Sequence, residues 1–91
     1  MRILIIEDDA KIASFLRKGF REVGYAADVA EDGEEGLLLI HQGVYDAIVA
    51  DWMLPKLDGV SLIERIRAEG IQTPVIILSA KRSVDDRIRG L

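Results

Sequence analysis

Four short aliphatic runs, separated by apolar residues at helical spacing, constrain this chain most. The runs are Arg2-Ile3-Leu4-Ile5-Ile6, Tyr25 to Ala30 (the weakest of the set), Ala47 to Ala50, and Val75-Ile76-Ile77-Leu78. Short runs without polar alternation suit strands buried on both faces of a parallel sheet. Between them, Ile12, Phe15, Leu16, Phe20 and Val23 stripe a first helix that Gly24 stops. Asp32 with Glu35 makes a capping-box-like start to a second, striped by Leu37, Leu38 and Ile40 and ended by Gly43. Val60, Leu62, Ile63 and Ile66 stripe a third, closed by Gly70, and Val84, Ile88 and Leu91 carry the start of a fourth. Such alternation implies parallel strands joined by right-handed crossovers, with helices on both faces. At 91 residues the chain is one domain with a modest core.

Composition removes several classes of function. With no cysteine there is neither a disulfide framework nor a thiolate metal site. No apolar run approaches a membrane span and no signal-peptide pattern opens the chain, so no membrane partner and a cytoplasmic location are expected. A hydrophobic share of 49% and a charged share of 31% describe a folded, soluble composition. The net charge of -4 argues against nucleic-acid binding by this segment itself.

The chemistry gathers at strand ends. The first run breaks into Glu7-Asp8-Asp9, and the third ends at Asp51, with Pro55 and Asp58-Gly59 supplying turn chemistry before the next helix. In open α/β sheets ligands bind at the carboxyl ends of strands. In the flavodoxin-like strand order 2-1-3-4-5 the crevice lies between strands one and three. Glu7, Asp8, Asp9 and Asp51 are therefore expected around one crevice. Converging carboxylates repel each other, and a divalent cation relieves the repulsion. An all-oxygen donor set without His or Cys favours Mg²⁺. An aspartate can itself accept a phosphoryl group as an acyl phosphate, and Asp51, alone at its strand end, is the candidate acceptor, with Asp8 and Glu7 on the metal side. Plainer roles compete: Asp9 as a helix cap, Asp58 as a turn and cap residue, Ser79 as an ordinary strand-end serine, His41, Lys56 and Lys81 as surface residues. Ser79 ends the strand beside that of Asp51, so it is also a candidate to hydrogen-bond a phosphoryl oxygen.

Ile5-Ile6-Glu7-Asp8-Asp9, Asp51-Trp52-Met53-Leu54-Pro55 with Asp58-Gly59, and Leu78-Ser79-Ala80 occur in this order and spacing. Together they resemble the receiver domain of bacterial two-component response regulators, over the whole chain. The opening acidic triplet, the Asp51 motif and Ser83-Val84-Asp85-Asp86-Arg87-Ile88-Arg89-Gly90-Leu91 look most like the OmpR/PhoB class. The resemblance implies a non-enzymatic phosphorylation switch whose Asp51 is phosphorylated by a sensor histidine kinase. It implies Mg²⁺ bound directly by Asp8 and through water by Glu7, with Asp51 and a backbone carbonyl from Met53 as further ligands. Ser79 would be the switch hydroxyl and Ala80 the small residue beside it. Dimerisation and transcriptional output would follow, with DNA bound only through a C-terminal winged-helix domain outside residues 1–91.

The family's receiver continues past Leu91 with a fifth strand, a lysine at its end, an aromatic switch residue and a fifth helix, so an incomplete receiver is expected here. Strand four would be left as an aliphatic edge, and such edges recruit other strands. Self-association by homodimerisation or by exchange of a strand or helix is the resulting expectation. Other readings fit less well. A phosphohydrolase of the haloacid dehalogenase type needs Asp-x-Asp after a strand, which neither acidic stretch supplies. A flavodoxin-like cofactor binder needs a Gly, Ser or Thr phosphate loop where Glu7-Asp8-Asp9 stands. An interaction module without phosphoryl transfer remains.

Overall fold

The structure, a computed structural model, describes residues 1–51 and 53–78. The expected fourth helix at Val84, Ile88 and Leu91 lies outside them, as do Trp52, Ser79, Ala80 and Lys81. Seven elements alternate: β1 (Arg2–Ile6), α1 (Ala10–Glu22), β2 (Ala26–Ala30), α2 (Gly33–Gln42), β3 (Ala47–Asp51), α3 (Gly59–Ala68) and β4 (Val75–Leu78). The strands form one parallel sheet in the order β2-β1-β3-β4, the expected doubly wound arrangement. Each aliphatic run became a strand, with two changes at the ends. β2 begins at Ala26 rather than Tyr25, and Asp51 is the last residue of β3 rather than the first residue after it.

Strand alternation splits β1 between two cores. Leu4 and Ile6 join Ile48, Ala50, Leu37, Ile40, Leu62 and Ile66 on the face covered by α2 and α3. Ile3 and Ile5 join Ala27 and Val49 on the other face, against Leu16, Phe20 and Tyr25. Leu4, Ile5, Ile6, Ile48, Leu62 and Ile66 are fully buried. Not every striped position packs as its spacing suggested. Phe15 is 76% exposed, Val23 65% and Leu38 55%, and Val60 is also exposed. In α1 the fully buried position is instead Ala13, small enough to let the helix lie close to the sheet.

An aspartate starts each of the three described helices. Asp9 accepts the N–H groups of Lys11 (2.9 Å) and Ile12 (3.1 Å), Asp32 that of Glu35 (2.8 Å), and Asp58 that of Ser61 (2.8 Å). Each satisfies a donor that the first helical turn cannot pair internally. Glu35 reaches back as in a capping box, but to the Glu31 N–H at 3.3 Å, one residue before the cap. Gly24 and Gly70 follow α1 and α3 in the left-handed region at φ 92° and 82°. At the other end of the sheet Asp28 accepts from the Tyr45 hydroxyl (2.8 Å) and pairs with Arg2 (3.1 Å), whose guanidinium lies 5.1 Å from the Tyr45 ring centre. His41, as expected a surface residue, contacts Glu69 at 2.7 Å.

Truncating Ile66 to alanine removes a fully buried side chain from the larger core. Urea denaturation should show a loss of about 2–5 kcal/mol, and a loss within error of zero would place Ile66 outside the core.

Three aspartates are held below their ordinary value of 3.8: Asp28 chiefly by the Tyr45 hydroxyl, Asp32 by the Glu35 N–H, and Asp58 by the Ser61 N–H. A depressed carboxyl supplies stability that is complete above its unfolded-state value and is lost as pH falls through its folded-state value. Stability is therefore expected to fall as pH drops below about 4. The Tyr45→Phe variant removes the main support of Asp28, so its loss between neutral and acid pH should be smaller than that of the parent chain. Equal losses in the two would sink this assignment.

Candidate functional site

β1 and β3 are paired with Ile6 opposite Ala50. One residue further on, Glu7 leaves β1 and Asp51 ends β3, at the carboxyl edge of neighbouring strands. From β1 the chain crosses to β2 on one side, and β3 lies on the other, so this is the point where strand order reverses and ligands bind in such sheets. Glu7 and Asp51 are each only 4% exposed, whereas Asp8 faces solvent. One carboxylate oxygen from each of the three lies within 4.8 Å of the others. It is the one such cluster among the described residues. Glu7 is oriented further: its N–H donates to the Ala30 carbonyl at 3.0 Å, and its Oε2 accepts the Asp9 N–H at 3.0 Å.

The sequence placed Glu7, Asp8, Asp9 and Asp51 around one crevice, and three of the four meet there. Asp9 instead caps α1 and supports Glu7 through its backbone, the plainer of its two roles. Asp58 caps α3. Met53 is 60% exposed beyond Asp51, and Leu54 turns into the larger core. Lys56 does not stand alone on the surface: its Nζ lies 3.6 Å from Asp32 Oδ2.

Two features escaped the sequence reading. Lys56 has φ 68°, the one positive φ among the described non-glycine residues, within a three-residue turn where the Leu57 N–H donates to the Pro55 carbonyl at 2.7 Å. Gly33, the first residue of α2, is buried against Leu57 of that turn. The Pro55-Lys56 sequence signals a turn but not its handedness.

Three carboxylates at a strand-order reversal form an anionic, oxygen-only site. The response regulator receiver domain family matches residues 3–91. The chain belongs to this family. The transcriptional regulatory protein DltR of Streptococcus agalactiae is 42% identical over 91 residues, which are all of this chain and 41% of DltR. The receiver thus spans about two fifths of that relative's length. Among solved structures, the receiver domain of the Francisella response regulator 1452 superposes with a TM-score of 0.85 at 49% identity, covering 98% of this receiver and 74% of that chain. The receiver domain of the Pseudomonas aeruginosa sensor histidine kinase PA1611, solved with a magnesium ion coordinated in its active-site cleft, superposes with a TM-score of 0.83 at 34% identity. It covers 96% of this receiver and 73% of that chain. The resemblance stated from the motifs is thus borne out for the family, for the fold and for a relative named as a transcriptional regulator. Receiver domains are in general signalling modules rather than enzymes. Among the described residues no helix is long and apolar enough to cross a membrane.

Convergence of like charges has a measurable cost. Without divalent cations, Asp8→Asn should raise the unfolding free energy of this receiver by about 1 kcal/mol at low salt, and by less as salt screens the cluster. A destabilised Asp8→Asn chain under those conditions would mean that the three carboxylates are not held together.

Proposed function

We propose that this receiver is the phosphorylation switch of a two-component transcriptional regulator of the OmpR/PhoB class. In this reading Asp51 accepts a phosphoryl group from a sensor histidine kinase. The observation that carries it is the meeting of Glu7, Asp8 and Asp51 at the reversal of strand order. The donor set fits Mg²⁺: carboxylate oxygens only, one at the solvent edge and two buried. Asp8 would bind the ion directly and Glu7 through water, with the Met53 backbone carbonyl as a further ligand. When bound, Mg²⁺ supplies positive charge that offsets the charge on the incoming phosphoryl group.

Asp51 does the bond-making. A carboxylate oxygen attacks phosphorus, an O–P bond forms, and the N–P bond to the donor imidazole breaks, with the electron pair leaving on the imidazole nitrogen. The β-sheet contributes position: Asp51 is fixed by the β3 ladder and largely shielded from water, which strengthens its interactions with a cation. Ser79, beyond the described residues, is the switch hydroxyl in this reading, and it follows the last residue of the strand paired with β3. The acyl phosphate would bias a two-state equilibrium through Ser79 and the β4 side, so that two receivers pair and bring DNA-binding domains to adjacent half-sites. DNA contact belongs to a winged-helix domain following the receiver in the full regulator, whose action is cytoplasmic.

The test is phosphorylation by a small acyl phosphate such as acetyl phosphate, read by intact-mass spectrometry. This receiver should gain one phosphoryl group with Mg²⁺ present and none with excess EDTA. Asp51→Asn should gain none under either condition. Labelling that persists in Asp51→Asn would move the acceptor elsewhere. Absence of labelling in the parent chain would favour an interaction module without phosphoryl transfer.

A further inference from the structure

The segment after Asp51 is held in a conformation that costs energy. Within Pro55-Lys56-Leu57 the Leu57 N–H donates to the Pro55 carbonyl at 2.7 Å, and the central residue Lys56 sits at φ 68°. A γ-turn with positive central φ is rare and strained for an L residue. Such a conformation persists only where surrounding structure fixes it.

The surroundings are visible. On the core side, Leu54 is buried and Leu57 packs against the larger cluster. On the outer side stands the corner between β2 and α2. The Gly33 N–H donates weakly to the Pro55 carbonyl at 3.5 Å, and Lys56 pairs with Asp32 at 3.6 Å. Gly33 has no room for a side chain. A Cβ placed on it would stand 2.6 Å from the Leu57 Cβ and closer still to the Leu57 carbonyl oxygen. That obstacle is backbone, so no rotamer change can relieve it. Other glycines differ: the nearest atoms to a Cβ at Gly36 are side-chain carbons of Ile6 rather than backbone, and one at Gly24 or Gly70 would meet nothing within 4 Å.

We propose that Gly33 is a positioning residue for the Asp51 site: by admitting the Leu57 backbone onto the first turn of α2, it locks the strained Pro55–Leu57 turn and, through it, the segment that carries Met53. The contact is what Gly33 supplies; the exposed Lys56–Asp32 pair adds little, since Lys56 is 61% exposed. This inference rests on the reading of Glu7, Asp8 and Asp51 as a Mg²⁺ site. It extends that site to a second corner of the fold, where a residue without any ligating atom sets the geometry of the loop beside the metal.

The experiment is isothermal titration of Mg²⁺ into the chain and four variants, each confirmed as folded by circular dichroism. Gly33→Ala should raise the Mg²⁺ dissociation constant about ten-fold, the size of a supporting-shell effect on a metal site. Leu39→Ala, which loosens α2 against the core away from the loop, is the stability control and should leave the constant within about two-fold, a shift of under about 0.5 kcal/mol. Lys56→Val replaces an exposed residue with a β-branched one that resists φ 68° and should weaken binding like Gly33→Ala, whereas Lys56→Asn, which tolerates the left-handed region, should restore it. If Gly33→Ala does not fold, the Lys56→Val and Lys56→Asn pair decides. Parent-like binding in Gly33→Ala or in Lys56→Val overturns the proposal and leaves the metal site standing. Weakening of equal size in Leu39→Ala overturns it as well, since that effect is only loss of stability. No saturable binding in the parent chain overturns the metal site itself, and this inference with it.

Discussion

The pairing of β1 with β3 is the constraint on which the rest of this receiver depends. Its register sets Ile6 beside Ala50, so the strands run out at the same level and deliver Glu7 and Asp51 to one place. The pairing is enforced by burial on both faces. A slip of one residue would turn Leu4 and Ile6 toward α1, and Ile3 and Ile5 toward α2 and α3. Aliphatic packing therefore fixes the distance between carboxylates that, left to themselves, would move apart. Stability and site geometry are one problem here: whatever weakens the core around Leu4 and Ile48 also relaxes the acidic cluster.

Acidic residues in this chain do two jobs, and location separates them. Asp9, Asp32 and Asp58 sit at helix starts and are occupied by backbone N–H groups. Glu7, Asp8 and Asp51 sit at strand ends, where their oxygens point toward one another. The two sets touch once, where the Asp9 N–H donates to Glu7 while the Asp9 carboxylate caps α1. The residue that caps α1 thereby orients part of the site, although its side chain lies outside it.

Much of this was legible in the sequence because it depends on local patterns. Runs such as Ile3 to Ile6 declare a strand buried on both faces, and the order of strands and helices confines the topology. The site followed by adding one rule about strand ends. The misreadings have physical causes. Phe15 and Val23 lie on the same helical spacing as Leu16 and Phe20, but periodicity does not choose between adjacent stripes: Leu16 and Phe20 pack on the sheet, with Ala13 buried, while Phe15 and Val23 face outward. Asp9 stayed open between a crevice carboxylate and a helix cap, because only the backbone path after β1 decides whether its carboxylate turns back onto the helix. The contact between Gly33 and Leu57 joins segments distant in sequence and leaves no compositional mark.

Exposure differs across the three site carboxylates, and that difference orders the chemistry of the proposed switch. Asp8 is open to water, so in that switch it would be the carboxylate that a cation reaches from solvent, while Glu7 and Asp51 would hold the ion from the buried side. Asp51 presents only 4% of its surface. In the proposed switch a phosphodonor would therefore reach it only at the carboxyl edge of β3. Burial also makes the acceptor's charge costly to leave without a counter-ion. The turn proposed to be held at Gly33 would serve the same switch, because a loop free to move beside Asp51 would blur the in-line geometry that phosphoryl transfer needs.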